Sequence, residues 1–279
     1  MHIPVSVVIP CYRCSKTIHR AVLSVVYQTF SPREVMLIDD YSNDGGETLN
    51  ALEIIKRSIG EKIKIEIVAL EVNNGPGAAR NVGWDLAHEP YIAFLDADDS
   101  WHKRKLEIQY QWMKANPQAV MTGHKSKIVI DNEYEELLNE KIVSRRVTGK
   151  SMLIANQFPT RSVMLKRDIP YRFQPQKRYA EDYLLWMQIV LGDSPAYFLD
   201  TALAYSYKDE FGMAGLSKNL WKMEVGVQDS LRVIFEEKKI SKAAYILAIT
   251  FSTIKFIRRF FMAHGYLSMR RSVLGSRNS

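Results

Sequence analysis

The 279-residue chain is 47% hydrophobic and 25% charged, a composition that supports a sizeable core and excludes a disordered protein. Its formal charge of +7 is concentrated near the end: nine lysines and arginines and no acid follow Glu237, so the preceding residues are slightly acidic. That distribution argues against nucleic acid as a partner of the core and assigns the tail alone an acidic partner.

Val5–Pro10 reads as an apolar strand ended by its proline, and Ser15 or Thr17 then caps a helix to about Gln28, with Ile18, Val22, Val25 and Val26 on one face. Cys11 and Cys14, the only cysteines, stand C-x-x-C between the two elements. They read as two reduced thiols, with a redox pair or a metal site as the alternative. Val35–Ile38 is a second buried strand, closed by a polar turn over Asp39–Gly46. Glu47–Ser58 reads as helix, Ile63–Leu70 as strand, Asn73–Gly77 as loop, and Gly77–Ala87 as a helix with Pro76 in its first turn. Tyr91–Leu95 is a strand that ends in Asp96, Asp98 and Asp99. This alternation predicts a doubly wound parallel sheet with right-handed crossovers, whose ligands gather beyond the strands' carboxyl ends. Asp39, Asp40, Asn74, Asp96, Asp98 and Asp99 all fall on that rim.

Three carboxylates within four residues repel one another and are costly to desolvate unless a cation neutralises them. Hard oxygen ligands suit Mg²⁺ or Mn²⁺, ions that bridge protein carboxylates to substrate phosphates. A solvated, helix-capping acidic turn is the other reading of such a cluster taken alone. Beyond Ala119 the pattern is irregular, with short strands at Ala119–Gly123, Ile128–Ile130 and Ser162–Leu165 and a polar loop over Asp131–Lys150. Glu181-Asp182 precedes an amphipathic helix, Tyr183–Leu191; Ala196–Leu199 and Ala202–Tyr207 read as strands, and Leu220–Glu237 as helix.

Several of these pieces, in this order, resemble the inverting glycosyltransferase family 2. The strand and turn Val7-Val8-Ile9-Pro10-Cys11-Tyr12 match the family's opening, and Asp39-Asp40-Tyr41-Ser42-Asn43-Asp44-Gly45 matches its D-D-x-S-x-D-G turn. Asn73 to Asn81 is similar to its N-x-G-x-x-x-A-R-N segment, Asp96 to Asp99 meets its D-A-D-D strand end, and Glu181-Asp182 its later E-D pair. Together these motifs cover roughly residues 4–217, and their order is more specific than any one of them. The resemblance implies a GT-A fold: a Rossmann-like, mostly parallel α/β sheet flanked by helices. It also implies a metal-dependent, inverting transfer from a nucleotide sugar, UDP in many members. Carried over, Pro10 and Tyr12 would line the nucleotide pocket and Asp39 would accept from the base. Arg80 would lie against base or diphosphate, Asp96 would contact the ribose, Asp98 would ligate Mg²⁺ or Mn²⁺, and Asp182 would be the catalytic base. The late strand departs from the family's Tyr-Arg, reading Tyr205-Ser206-Tyr207-Lys208, so the diphosphate contact falls to Lys208. A sugar-nucleotidyltransferase is the alternative enzyme, but Pro10–Cys14 is unlike its glycine-rich loop; a non-catalytic nucleotide-sugar-binding protein is the other alternative.

The expected organisation is a GT-A domain over 1–217, with a nucleotide-sugar half at 1–124 and an acceptor half at 125–217, followed by a basic helical extension at 218–279. In Lys242–His264, Lys255, Arg258 and Arg259 cluster on one side of a helix with Ile246, Ile249, Ile257 and Phe260 opposite. This is the pattern of an interfacial helix on an anionic membrane, and a basic helix packed on its own domain is the other reading. No leader and no run of roughly 18 apolar residues is seen, so a cytoplasmic enzyme peripheral to the inner face of the membrane is expected. Such a location suits a polyprenyl-diphosphate-linked glycan acceptor in bacterial surface-polysaccharide assembly.

Overall fold

The computed structural model describes residues 1–129, 142–207 and 219–275, the last with side chains as far as Met262. It divides into two compact units, Met1–Tyr207 and the residues from Lys208 onward.

In the first unit, β1 (His2–Cys11), β2 (Ser31–Asp39), β3 (Lys64–Ala69) and β4 (Tyr91–Phe94) pair in parallel in the order β3-β2-β1-β4. Both faces of this sheet are covered, which is why its central strands are unbroken apolar runs. On one face α1 (Ile18–Val26) and α2 (Glu47–Ile59) bury Ile18, Val22, Val25, Leu52 and Ile55 against Val5, Val7, Val35 and Leu37. The expected cap of α1 is absent: the Thr17 hydroxyl donates to the Cys14 carbonyl instead. On the other face lies α3 (Pro76–Leu86), drawn in at Gly83, where an added Cβ would stand 2.5 Å from a Val8 methyl. Trp84, Phe94, Phe173 and Trp186 fill the space beside it, with ring centroids 5.4–6.4 Å apart. Such pairs contribute roughly 0.5–1.5 kcal/mol each beyond area burial.

The sheet continues with mixed pairing. β8 (Met164–Lys166) runs antiparallel between β4 and β6 (Met121–Ile128), and β9 (Ala196–Ser206) pairs parallel to β6. β5 (Ser100–Trp101) and β7 (Ser144–Arg146) add antiparallel to β9. The two strands expected over 196–207 are one strand with an irregular register opposite His124–Ser126. Of the polar loop expected over Asp131–Lys150, residues 131–141 lie outside the described residues, and the rest holds β7 and the first residues of α5 (Gly149–Ile154), which Thr148 opens through a capping box with Ser151. Two helices complete the unit: α4 (Lys105–Ala115), which the apolar pattern did not signal, and α6 (Glu181–Leu191), whose first turn contains Glu181 and Asp182.

The second unit pairs α7 (Leu220–Glu236) with α8 (Lys242–Gly275). Phe235 stacks on Tyr245 at 4.8 Å, Trp221 meets Phe256 at 5.7 Å, and the Ser252 hydroxyl donates to buried Glu224. Among the described residues, no helix is long and apolar enough to cross a membrane.

Candidate active site

β1 lies between β2 and β4, so the chain leaves it in one direction to β2 and β3 and returns on its other side to β4. The crevice of such a sheet opens at this switch point, beyond the carboxyl ends of β1 and β4. Pro10 and Tyr12 stand at the first of these ends and Asp96–Asp99 at the second; Asp39, paired with Cys11, closes β2 beside them.

The three aspartates of the β2 turn do different work. Buried Asp39 accepts hydrogen bonds from the Ser42 hydroxyl and backbone N–H, and the Ser42 hydroxyl in turn accepts the Arg13 N–H at 2.9 Å, tying the β1 loop to the β2 loop. Asp40 accepts the N–H groups of Asn74 and Gly75 at 2.9 and 2.8 Å, while burial raises its pKa. It fastens the loop before α3. Asp44 accepts the Thr48 N–H and hydroxyl at the start of α2, and these bonds lower its pKa. Pro10 is half-buried; Tyr12 is exposed, with the Arg13 guanidinium 5.4 Å from its ring.

Three arginines hold the Asp96–Asp99 turn. Arg80, almost fully buried, donates to Asp96 at 2.7 Å and to Glu181 at 2.9 Å. The sequence reading set Arg80 against base or diphosphate; both arms of its fork are instead engaged by these carboxylates. Burial lowers its pKa, and Asp96 and Glu181 more than offset that, so it stays charged. Arg161 donates to Asp99 at 3.0 Å, and Arg20 donates to the backbone carbonyl of Asp98 at 2.7 Å while stacking 3.4 Å from the centre of the Tyr207 ring. Burial pushes Asp99 up to about 6 against the pull of Arg161.

Among the described residues no group of three or more His, Cys, Asp or Glu is placed to hold a metal. Mg²⁺ characteristically takes one or two carboxylates and completes its shell with substrate phosphates and water. The donor set of the turn is of that chemistry: Asp96 and Asp99 are ion-paired to Arg80 and Arg161, and half-buried Asp98 stands between them, its backbone carbonyl fixed by Arg20.

Asp182 accepts hydrogen bonds from Thr160 Oγ1 at 2.9 Å, Asn156 Nδ2 at 3.2 Å and the Tyr183 N–H at 2.7 Å. Burial raises its pKa, Arg80 opposes the rise, and Asp96 adds to it. Neighbouring Glu181 is pushed up to about 7, by burial first and then by Asp182, with Arg80 opposing. The two acidic motifs are thus joined twice: Arg80 links Asp96 to Glu181, and adjacent Thr160 and Arg161 hold Asp182 and Asp99. Gly77 stands at the close approach of α3 to α6 behind the first link, where a Cβ would lie 3.0 Å from Glu181 Cγ. Sequence reasoning missed Arg20, Thr160 and Arg161; the only signal was that buried carboxylates require cations from somewhere. Lys208 lies outside the described residues.

Residues 6–176 match the family described as Glycosyl transferase family 2. The Escherichia coli protein WfgD, named a UDP-Glc:alpha-D-GlcNAc-diphosphoundecaprenol beta-1,3-glucosyltransferase, is 27% identical over 87% of this chain and 90% of its own length. In fold the chain is similar to S. aureus TarS in complex with UDP-GlcNAc, with a TM-score of 0.69 and 23% identity over 93% of this chain and 73% of the other. It is also similar to the Pyrobaculum calidifontis mannosyltransferase PcManGT in complex with GDP-Man and Mn²⁺, with a TM-score of 0.65 and 16% identity over 97% of this chain and 80% of that one. A family match over more than half the chain, the ordered motifs and the GT-A-like sheet lead to one conclusion: the protein is a glycosyltransferase and belongs to glycosyl transferase family 2.

Proposed function

We propose that the enzyme performs an inverting, metal-dependent transfer from a nucleoside diphosphate sugar of the UDP class to a hydroxyl of a lipid-linked glycan in bacterial surface-polysaccharide assembly. The observation that carries this reading is the double link between the Asp96–Asp99 turn and Asp182, which supports a donor site and a base acting on one substrate pair.

In this reading Pro10 and Tyr12 flank the nucleotide, Asp39 accepts from the base, Asp96 bonds the ribose, and Arg80 acts on the donor by fixing Asp96. Asp98 is the residue that would hold a divalent ion, which when bound would supply charge neutralisation for the diphosphate. Asp182 takes the proton of the acceptor hydroxyl as that oxygen bonds to the anomeric carbon. The bond from that carbon to the diphosphate oxygen breaks, its electron pair leaves with the diphosphate, and one displacement inverts the centre. The raised pKa of Asp182 suits a base of this kind. Metal-dependent release of UDP from a panel of UDP-sugars tests the assignment. Asp182→Asn should lower turnover by about 10³-fold or more, with donor affinity within two-fold; normal turnover by that variant would remove Asp182 from the mechanism.

The donor and lipid-linked acceptor named for WfgD support the acceptor assignment. So does α8, on which Leu247, Ile254 and Phe261 are 58–70% exposed at seven-residue spacing, beside Phe251 and Ile257. Lys242, Arg258 and Arg259 are exposed on the same helix, and no acid follows Glu237. A cationic helix with an outward apolar stripe fits an anionic membrane surface, where each basic residue contributes about 1 kcal/mol. The enzyme should float with vesicles containing phosphatidylglycerol, and lose that association when Leu247 and Ile254 are both changed to Asp. Undiminished flotation of the double variant would exclude α8 as the contact.

A further inference from the structure

Asp182 and Asp99 come from separate motifs, yet a single three-residue turn, Thr160–Ser162, reaches both. That turn is anchored on three sides. Arg161 Nε donates to Ser126 Oγ of β6 at 2.6 Å, and Trp101 Nε1 of β5 donates to the Arg161 carbonyl at 2.8 Å. Gln109 Nε2 of α4 donates to the Ser162 carbonyl at 3.0 Å. Thr160 and Ser162 are buried, so the turn cannot shift without breaking several bonds that water does not replace. Among the described residues the other hydrogen bonds to Asp182 come from Asn156, in the segment that follows α5, and from the N–H of its own neighbour Tyr183. Thr160 is therefore the donor that ties the Asp182 carboxylate to the sheet and, through Arg161, to the aspartate turn.

We propose that Thr160 is a positioning residue: its hydroxyl fixes the direction in which Asp182 presents its carboxylate to the incoming hydroxyl. The inference rests on reading Asp182 as the base. The charged groups around Asp182 are Glu181 on its own helix, Arg80 from α3, and Asp96 after β4. Arg80 favours the ionised form, and Glu181 and Asp96 disfavour it. The Thr160 hydroxyl is a further donor to the charged form, so deleting it raises the pKa of the base. Turnover requires the deprotonated base, so the acid limb of the rate profile then moves to higher pH.

The test uses the full chain, UDP-GlcNAc and UDP-glucose as probes, Mn²⁺, and UDP release as the readout, with water standing in for the acceptor. Thr160→Val should lower kcat about ten-fold or more with KM for the donor within two-fold, and should shift the acid limb upward by about half a pH unit or more. Thr160→Ser, which keeps the hydroxyl, should restore both the rate and the limb. Thr160→Ala gives the same reading should the valine variant fail to fold. An acid limb unmoved in the variants lacking the hydroxyl, or a serine variant as impaired as alanine, overturns the proposal. Inactive Asp182→Asn beside a fully active Thr160→Val rejects the role of Thr160 alone, whereas an active Asp182→Asn rejects the base itself.

Discussion

Asp96 and Asp99 are each bonded to an arginine, whereas the donors bonded to Asp182 are uncharged: a hydroxyl, an amide and a backbone N–H. An ion pair fixes a carboxylate and quenches its basicity together, because the same cation that holds it stabilises its charged form. Neutral donors fix position at less cost to basicity. On the arginine-held side the cations offset part of the burial that raises Asp99 to about 6 and Glu181 to about 7, which suits groups held still while a diphosphate sugar binds. The hydroxyl-held side suits a group that must take up a proton during the reaction. One enzyme thereby keeps two kinds of carboxylate within a single electrostatic cluster, and the difference can be probed by removing the holder from each side.

The largest effect on stability is expected from Arg80→Met. Removing one partner of a buried ion pair leaves uncompensated charge and typically costs 3–5 kcal/mol; here Asp96 and Glu181 lose their shared cation together. Urea denaturation should register a loss of about that size, and Arg80→Lys should recover only part of it, since an ammonium cannot span both carboxylates as a fork does. A loss below about 1 kcal/mol would mean that the arginine does not hold this side. A smaller effect is expected from Gly83→Ala, whose new methyl would press on Val8 at 2.5 Å and Ile38 at 3.1 Å. Overpacking of this kind costs about 1–3 kcal/mol. Because α3 carries Arg80, whose charge opposes the rise in the pKa of Asp182, the variant should raise KM for the donor and move the acid limb of the rate profile less than Thr160→Val does. A limb that moved as far with Gly83→Ala as with Thr160→Val would mean that Arg80, not Thr160, chiefly sets the ionisation of Asp182.

Much of the first half was legible in the sequence, because β1, β2 and β4 are buried on both faces and so appear as continuous apolar runs between amphipathic helices. The rim aspartates were legible for the same reason, since each directly follows such a run. The second half resisted: β5 and β7 are two and three residues long and exist only because β9 offers them an edge, a fact no local pattern encodes. The holders of the aspartates were illegible in a different way. Arg80 and Glu181 are 101 residues apart and Arg161 and Asp99 are 62 apart, so only the folded sheet brings them together. Thr160 sits in a one-turn helix with no periodicity to announce it. Motif order located the acids, and tertiary structure alone showed what each acid is bonded to.

The smallest effect sharpens the contrast most. Asp182→Asn removes a charge whose pKa is raised in the folded protein, chiefly by burial. A carboxyl with a raised folded pKa destabilises the fold above its unfolded pKa, because the unfolded chain ionises more readily. Below the ordinary carboxylate range that penalty vanishes, since the group is protonated in both states. The stability of Asp182→Asn relative to the unmodified enzyme should therefore increase as pH rises from about 4 toward neutrality. At neutral pH the two proteins should lie within about 1 kcal/mol of each other, the lost hydrogen-bond complementarity at the Tyr183 N–H offsetting the relieved charge. Thermal melts across that range would show it. An asparagine variant that lost several kcal/mol at neutral pH, as Arg80→Met should, would place Asp182 among the structurally paired acids and erase the distinction between a carboxylate held to stay charged and one held to react.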